Sequence, residues 1–528
     1  MLQLVLIFTA VVLFYYFAIK PMSYWKDRGV VQSKPVWFFG DQWKQIFRLE
    51  NIYEFFERGY KLTDGRYAGM YQFNIPTLII KDPGLLKQIA VKDFDHFVNH
   101  RPLIPEGGDP LWSKNLFALT DQKWRDMRPV LSPSFTSSKM KMMYQLMADC
   151  AQNLVDHFSK INEEVAEVSF KDVSTRFAND IIATTAFGLH TDSLKNKDNE
   201  FYLMGKEITD FTSVSSVSRI LGFLFIPRIL KLFDVKLFSG ASRNFFINLI
   251  DKTIKAREEQ HIVRPDMIHL LLEAKKGNHH KDDHNVTDTG FAIVKDEHLG
   301  KAPTTVANEI TNEDITAQAL IFFFAGFDSV SSLMSFMSYE LAVNPDVQTR
   351  LREEIDEGFQ ECNGKLNYET IMKMKYLDMV TSESLRKWPN FAGVDRVCNK
   401  EYVIEPEQPN EPRLVIEKGT ILVFPIMSIQ RDPKYYPNPD KFDPERFSDE
   451  NKDTIDPYTF LPFGLGPRNC IGSRFAMLET KALFAYLLHS FEIVPTKNST
   501  IPVVLSKKNF NLAAEDGMIL GLKKIKNR

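Results

Sequence analysis

The sequence predicts a mainly α-helical fold with a minor β region, preceded by a transmembrane helix at the N-terminus. Apolar residues follow helical spacing across most of 120–270, and again in a long run that begins at Thr311. Strand-like runs are confined to residues 66–81 and 400–425. No Gly/Ser/Pro-rich linker separates two cores and no repeat has a fixed period, so residues 41–528 are predicted to form a single domain.

Residues 1–20 are predicted to be a membrane anchor, followed by a basic, proline-containing connector over residues 21–40. The stretch from Leu4 to Ile19 is apolar apart from Thr9, close to the roughly 20 residues that cross a bilayer as a helix. Basic residues follow it and none precede it, which places the rest of the chain in the cytosol. A cleaved signal peptide is the alternative, but its basic start and small-residue cleavage site are missing. The aromatic residues expected at the membrane interface are Tyr15, Tyr16, Tyr24 and Trp25.

The overall composition argues against several classes of function. A net charge of −3 gives no reason to expect nucleic acid as a partner. Four cysteines are too few for a disulfide framework, and without a CxxC pair neither a zinc site nor an iron–sulfur cluster is supported. The polar stretch 274–310 is interpreted as a solvated loop, and the glycosylation sequons at Asn285 and Asn498 are expected to be unused in the cytosol. The histidines of that stretch, considered and set aside as metal ligands, are His279, His280 and His284.

Cys470 is the most informative residue of the chain. It lies in the glycine-rich stretch 463–472, directly before a helical run from Ser473 to Leu488. A cysteine at a helix N-terminus favours the thiolate, and the preceding glycines allow a tight turn that points N–H groups at the sulfur. A single thiolate presented in this way is how proteins hold haem iron through sulfur. A buried structural cysteine is the alternative.

The helix predicted to begin at Thr311 carries polar groups near its middle. Gly326 weakens the helix there, and Asp328 and Ser329 add a carboxylate and a hydroxyl group. A local widening of the helix would release the Ser329 hydroxyl to form a hydrogen bond to dioxygen bound at a haem. Asp328 would relay protons to that oxygen. The alternative is that Ser329 donates a back-bond within the helix.

Two further sets of charged residues fit a haem protein. Glu383 and Arg386 share one helical face, and Arg446 would complete a three-member network, although most such pairs are surface salt bridges worth under about 1 kcal/mol. Trp124 and Arg128, one helical turn apart, are donors only, which suits a pair of carboxylates such as the haem propionates. Arg396 and Arg468 would serve the same carboxylates; packing and surface charge are the alternatives for these four donors.

Together these motifs resemble those of the cytochrome P-450 family of haem-thiolate monooxygenases, in the family's order and over essentially the whole chain. The resemblance implies the triangular P-450 fold, with residues 41–528 as one haem-thiolate catalytic domain. It implies haem b with Cys470 as axial iron ligand, Asp328 and Ser329 as catalytic residues, and a structural lock of Glu383, Arg386 and Arg446. The haem contacts that it implies are Trp124, Arg128, Arg396, Arg468, Phe463, Gly464, Gly472 and Ala325, with His100 and Arg101 as further candidates.

The closest likeness is to insect microsomal detoxification enzymes, especially the family-nine branch, and rests on residues 264–271 and 324–335. One position departs from the family. Most members carry threonine where Ser329 stands and a second hydroxyl residue where Val330 stands. Serine lacks the methyl group that fixes the rotamer of threonine, so we expect looser proton delivery.

The resemblance further implies an NADPH-dependent monooxygenase of the endoplasmic reticulum membrane that acts on lipophilic compounds, xenobiotics such as plant toxins or insecticides. Electrons would come from a membrane-bound flavoprotein reductase that uses NADPH, with cytochrome b5 as a further partner. Lys123, Arg125 and Arg474 are candidates for docking the acidic partner. The segments expected to line the substrate pocket are 101–120, 205–220, 322–327, 391–394 and 510–512.

Three alternatives stay open at this stage. The first alternative is a monooxygenase whose substrate is an endogenous lipid or hormone. The second is a haem-thiolate isomerase or dehydratase of hydroperoxides, which needs no reductase and has no use for the Asp328 and Ser329 pair. The third is a haem-based sensor or carrier, against which the aromatic pocket segments and the lack of an output domain argue.

Overall fold

The computed structural model describes residues 1–105, 108–261, 264, 266–275, 290–294, 310–509 and 511–525 of the chain. Within them helices predominate over strands, which confirms the predicted mainly α class. The helices of the first half are α1 Leu2–Phe14, α2 Trp43–Ile46, α3 Ile52–Tyr60, α4 Pro83–Lys87, α5 Pro110–Ser113, α6 Asp121–Leu131, α7 Ser137–Ser159, α8 Phe170–Ile182, α9 Glu200–Thr209, α10 Val214–Phe225, α11 Pro227–Leu232, α12 Gly240–Gln260 and α13 Met267–Lys275. Those of the second half are α14 Asn312–Val343, α15 Pro345–Glu361, α16 Tyr368–Lys373, α17 Lys375–Lys387, α18 Ile426–Gln430 and α19 Ser473–Ser490.

The strands form three small sheets. They are β1 Tyr67–Gln72, β2 Ile75–Ile80, β3 Val165–Ser169, β4 Val394–Val397, β5 Tyr402–Ile404, β6 Leu414–Ile416, β7 Ile421–Phe424, β8 Phe491–Val494 and β9 Ile519–Lys524. The largest sheet has the order β1-β2-β7-β4, in which β2 runs parallel to β7 and Arg396 on the edge strand β4 lies opposite Leu422. The others are β3-β9-β8 and β5-β6. Residues 414–424 therefore contribute to two sheets, and Gly419, with φ of +92°, makes the turn between them.

The long helix α14 occupies the centre of the helical part. Thr311 and Asp314 form the reciprocal capping box that the sequence predicts, and the helix ends at Val343, before Pro345. Its 32 residues span about 48 Å at 1.5 Å per residue. α14 packs against α8, α9, α12, α17 and α19, so most of its side chains are buried. This position brings α14 into contact with α19, the helix that follows Cys470.

The N-terminal segment combines an exposed apolar helix with a docked tail. Leu2–Ser23 forms a 22-residue helical stretch with a mean hydropathy of 2.3 that is only 6% buried, as a membrane anchor requires. The prediction that Trp25 lies at the membrane interface is wrong. Its indole is fully buried and donates to the Met70 carbonyl at 3.2 Å, and a Cβ on Gly69 would come within 2.5 Å of its ring. Tyr24, half-buried beside it, donates to Glu417.

Several residues singled out in the sequence lie outside the described residues, and one lies in an exposed loop. The three histidines of the polar stretch and the Asn285 sequon lie outside the described residues, as does Phe510. At the second sequon, the Asn498 side-chain amide donates to Glu167 at 2.7 Å.

Candidate functional site

The loop before α19 presents Cys470 at a helix N-terminus. The Cys470 N–H donates to the Phe463 carbonyl at 2.8 Å, which closes the loop, and Gly472 is the N-cap residue of α19. Gly464 and Gly466 have φ of +78° and +70°, the left-handed region that favours glycine, and a Cβ on Gly466 would overlap the Ala90 carbonyl oxygen. Cys470 is exposed, whereas the other three cysteines are buried or half-buried. The helix dipole at this position favours the thiolate form.

Arg128 ties helix α6 to this loop. Its buried guanidinium donates to the Asn469 backbone carbonyl at 2.8 Å and to the Asn469 side-chain oxygen at 2.7 Å. One turn earlier on α6, Trp124 is also buried, and the Arg468 guanidinium lies 4.3 Å from its ring centroid. The predicted pair therefore lies directly beside the residues that precede Cys470.

Arg396 and Arg468 complete a cluster of buried cations. Arg468 donates to the backbone carbonyls of Val98, Leu116 and Leu119, and Arg396 donates to those of Asp395 and Leu465. Neither forms a salt bridge with a described carboxylate, and the Arg396 Nε has no hydrogen-bond partner among the described residues. Burial lowers the pKa of Arg396 to about 10. Burial also lowers the pKa of Arg468, and the neighbouring Arg396 and Arg128 lower it further. This cluster of concentrated positive charge with an unused donor fits an anionic ligand such as two propionates.

The carboxylate nearest to this cluster is engaged elsewhere. Asp395 accepts a 2.5 Å hydrogen bond from the Arg101 backbone N–H, and its other oxygen lies 3.1 Å from His100 Nδ1. Burial lowers the pKa of His100 to about 4, so the imidazole is neutral at pH 7. The Arg101 guanidinium contacts Gln72. His100 and Arg101 thus adjoin the cation cluster through Asp395.

The middle of α14 differs from the prediction in one respect. The helix is α-helical throughout, so the expected local widening is wrong, and the Ser329 hydroxyl donates to the Ala325 carbonyl one turn earlier. This is the back-bonded alternative, which satisfies the hydroxyl without disturbing the helix. Ala325 is exposed although it lies in a mostly buried helix.

Asp328 forms an ion pair that no sequence pattern predicts. Its Oδ1 accepts from Lys171 Nζ at 2.8 Å, and its Oδ2 accepts from the Asn511 amide at 3.1 Å. Lys171 also donates to the hydroxyls of Ser331 and Ser332. Burial raises the pKa of Asp328, but Lys171 and Asn511 outweigh burial and hold that pKa below its usual range.

Residues 111–119 connect the cysteine loop with α14. Leu116 accepts from Arg468 through its carbonyl and donates its N–H to the Gln318 side chain on α14 at 2.8 Å. Beside this connection lies a small, largely apolar cavity. Its lining comes from three of the five predicted pocket segments, from Phe238 just before α12 and from two further residues of α14. The lining residues are Leu111, Trp112, Asn115, Ile208, Phe238, Leu320, Ile321 and Phe324. Residues 391–394 and 511–512 are not among them.

The three charged residues Glu383, Arg386 and Arg446 do form one network, and its Glu383–Arg386 pair is buried instead of lying at the surface. Glu383 and Arg386 are fully buried and joined by two hydrogen bonds of 2.7 and 2.8 Å. Arg446 Nε lies 3.6 Å from the Glu383 carboxylate, and Arg446 Nη2 donates to the backbone carbonyls of Pro437 and Asn438. Burial raises the pKa of Glu383, and the two cations oppose that rise. Every charge in this network faces one of opposite sign.

Comparison with known proteins identifies the family. The family model described as Cytochrome P450 matches residues 31–520. The chain is a member of the cytochrome P450 family. Cytochrome P450 9e2 of Blattella germanica is 43% identical over 96% of this chain and 95% of its own length. Probable cytochrome P450 9f2 of Drosophila melanogaster is 42% identical over 97% of each chain. Cytochrome P450 6k1 of Blattella germanica is 37% identical over 98% of this chain and 96% of its own length.

Membership fixes the general chemistry of this cytochrome P450. It is a monooxygenase that carries haem iron ligated by a cysteine thiolate. The predicted likeness to insect members of family nine is confirmed by these relatives. The residues described above fit the group, because an exposed thiol at a helix N-terminus and a cluster of uncompensated arginines match one metal ligand and two carboxylates.

Sequence reasoning missed the partners of two site residues. Lys171 lies 157 residues from Asp328, and nothing in the sequence marks it as other than a surface lysine near a helix start. Asn469 lies in the stretch 463–472 without a predicted role of its own, although its carbonyl and side chain hold Arg128. Asparagine accepts two hydrogen bonds in this way without adding charge, so no charge pattern could have revealed it.

Proposed function

We propose that the protein is an NADPH-dependent haem-thiolate monooxygenase that inserts one atom of dioxygen into lipophilic xenobiotics, such as plant toxins or insecticides, and releases the other as water. The observation that carries the proposal is an exposed cysteine at a helix N-terminus near the buried Arg396 and Arg468, which form no salt bridge with a described carboxylate. Haem bound through a thiolate supplies the electron density that cleaves the O–O bond.

Each site residue has a proposed role in holding the haem. Cys470 would ligate the iron through its thiolate, and Trp124, Arg128, Arg396 and Arg468 would donate to the propionates. His100 and the Arg101 backbone N–H would orient the Asp395 carboxylate, which forms no salt bridge with Arg396. The residues proposed to line the haem faces are Phe463, Gly464 and Gly472 on the thiolate side and Ala325 on the other.

Asp328 and Ser329 are proposed to handle protons on the α14 side. Lys171 keeps Asp328 ionised, so that the carboxylate accepts a proton from solvent and passes it inward when the ion pair opens. Both side chains of the pair are about one-third exposed, which lets water reach them. The Ser329 hydroxyl donates its proton to the Ala325 carbonyl. Ser329→Thr is expected to raise the fraction of NADPH oxidation that is coupled to product formation.

The substrate class rests on the cavity beside α14. Trp112 and Phe324 contact edge to face, with ring centroids 6.0 Å apart, and Phe238 adds a third ring. The polar groups in the lining are few, so the cavity favours lipophilic and aromatic compounds. An endogenous lipid or hormone is the second candidate, because the same lining accepts its apolar skeleton.

Electrons are proposed to come from a membrane-bound NADPH flavoprotein reductase, with cytochrome b5 as a further donor. Lys123 is exposed on α6, and Arg125 and Arg474 are half-buried. Arg125 pairs with Asp95 at 2.5 Å, and Lys123 is the residue to test because it is the most exposed of the three. Lys123→Glu should slow reduction of the haem more at low than at high ionic strength, and an unchanged salt profile would exclude this docking site.

We propose that the protein lies at the endoplasmic reticulum membrane with its catalytic domain in the cytosol. The exposed helix Leu2–Phe14 is accompanied by a second apolar surface on α10 and α11, where Val214 is 85% and Leu232 is 80% exposed. Phe225 of α10 stacks on Phe38 at 5.7 Å, and Trp37 contacts Phe14 at 6.1 Å, so the two surfaces adjoin. An exposed apolar surface of this extent favours contact with lipid.

The test compares Cys470→Ala with Cys362→Ala in the full-length protein. The wild type and Cys362→Ala should give the Soret band of a thiolate-ligated reduced CO complex, and Cys470→Ala should lack it. With added reductase, lipophilic compounds should stimulate NADPH consumption and form oxygenated product. Product formed from a hydroperoxide without NADPH would instead favour the isomerase, and ligand binding without any turnover would favour a sensor.

A further inference from the structure

A short segment distant in sequence packs beside the cysteine loop. Phe291 lies with its ring centroid 5.0 Å from that of Phe447 and 5.4 Å from that of Phe460. The next residue, Ala292, is buried in one hydrophobic cluster that includes Phe463 and Met477. Residues 290–294 therefore pack on side chains that precede Cys470 and on side chains that follow it.

Polar contacts fix the same segment to two helices. The Phe291 N–H donates to Asp378 Oδ2 on α17 at 2.9 Å, and Asp378 Oδ1 lies 2.7 Å from Lys481 Nζ on α19. Lys481 is fully buried, so this ion pair is shielded from water. A Cβ on Gly290 would come 2.8 Å from Ile293 Cδ1 and 3.2 Å from Asp378 Oδ1, which shows how closely the turn fits.

We propose that residues 290–294 hold the cysteine loop in place, with Phe291 as a positioning residue that acts through Phe460 and Phe463. The Phe463 carbonyl accepts the Cys470 N–H at 2.8 Å, so the position of Phe463 fixes the geometry of the thiolate. Removing the Phe291 ring frees Phe460 to move and admits water to the buried cluster. The proposal rests on ligation of the haem by Cys470.

The experiment measures amide hydrogen exchange at Cys470 in the full-length holoenzyme. Phe291→Ala should speed this exchange by about tenfold, because the hydrogen bond to Phe463 opens more often. Phe291→Leu keeps an apolar side chain at the position and should give a smaller increase. The reduced CO complex of Phe291→Ala should also convert faster from the thiolate-ligated to the thiol-ligated Soret position on mild warming.

Phe359→Ala is the matched control, because Phe359 on α15 packs against α19 away from the cysteine loop. Phe359 is buried, and its ring packs against Tyr486 and His489 near the other end of α19, at centroid distances of 5.3 and 3.9 Å. Its removal should leave exchange at Cys470 within about twofold of the wild type, because it does not contact the loop. Equal acceleration in Phe291→Ala and Phe359→Ala, or none in Phe291→Ala, would overturn the proposal.

Failure of the proposed haem ligation gives a different result. A wild-type CO complex without the thiolate signature would refute Cys470 as the ligand, and with it the effect expected on the CO complex. The exchange comparison between Phe291→Ala and Phe359→Ala would still decide whether residues 290–294 hold the loop.

Discussion

Two clusters of buried arginine differ in how their charge is neutralised. In the network of Glu383, Arg386 and Arg446, the central carboxylate faces two cations and is fully buried. In the second cluster, Arg396 and Arg468 have only backbone carbonyls as hydrogen-bond partners among the described residues, and neither forms a salt bridge there. Because a buried charge without a counter-charge is costly, the first cluster is complete within the protein and the second is suited to an added anion. The difference predicts that the first cluster is a structural network and the second a binding site.

The largest effect is expected from breaking the complete network. Glu383→Ala leaves the buried Arg386 and the half-buried Arg446 without their carboxylate and should lower the free energy of unfolding by about 3–5 kcal/mol. Urea unfolding should show this loss equally in the haem-free and haem-loaded protein. Glu445→Ala, which removes one partner of the exposed Arg350 pair, should cost less than about 1 kcal/mol. A loss in the loaded protein alone would mean that Glu383 belongs to the haem site.

The next effect concerns the neutral imidazole beside the second cluster. The pKa of His100 is lowered to about 4 in the folded protein, whereas a histidine in an unfolded chain titrates near pH 6.5. The unfolded chain therefore binds more protons between these values, and stability should fall by up to about 3 kcal/mol as the pH drops from 6.5 to 4.

Variants isolate this contribution of His100. His100→Asn should remove that part of the pH dependence in chemical unfolding, whereas replacement of the exposed His190 should leave it intact. An unchanged slope in His100→Asn would mean that the imidazole is already charged in the folded state, and that it adds a cation to the arginine cluster.

Removing Arg396, a cation without a salt bridge, is expected to lower haem affinity and not stability. This is the reverse of the effect expected for Glu383→Ala, and it is smaller. Arg396→Leu should leave the stability of the haem-free protein unchanged or higher, because an unpaired buried charge is lost. Haem affinity should fall by about tenfold, as for the loss of one hydrogen bond to a charged group, and haem transfer to an acceptor protein measures it.

Arg257→Leu provides the contrast with Arg396→Leu. Arg257 is buried and paired with Asp266 through two hydrogen bonds of 2.5 and 2.6 Å. Its removal should destabilise the protein and leave haem affinity alone. If both variants lost stability to the same extent, the distinction between the two kinds of cluster would fail.

The smallest effect is expected at a third charge pair, which is compensated but partly exposed. Lys171→Met removes the cation that lowers the pKa of Asp328, so that pKa should rise. The pH at which activity responds to Asp328 should move upward, and kcat should fall by less than the roughly hundredfold loss expected from removing a general acid or base itself. A pH profile that does not move would assign Lys171 a structural role.

The limits of sequence reasoning follow from the same residues. Both clusters could be suggested from properties of the residues themselves. The donor-only chemistry of Trp124 and Arg128 pointed to an anion site, and the helical spacing of Glu383 and Arg386 pointed to a charge pair. Lys171 was missed because its partner lies on another helix, and only the fold brings the two together. Trp25 was misplaced because an aromatic residue beside an apolar run suits a membrane interface and a protein core equally well.

The buried indole of Trp25 sets a boundary for shortening the chain. Because the ring fills the space over Gly69 and donates to Met70, it belongs to the folded body although only a few residues separate it from the apolar helix. A shortened protein that begins at Ser23 would lose the lipid-soluble helix and keep this contact. One that begins at Val30 would expose the strand beneath and should be prone to aggregate.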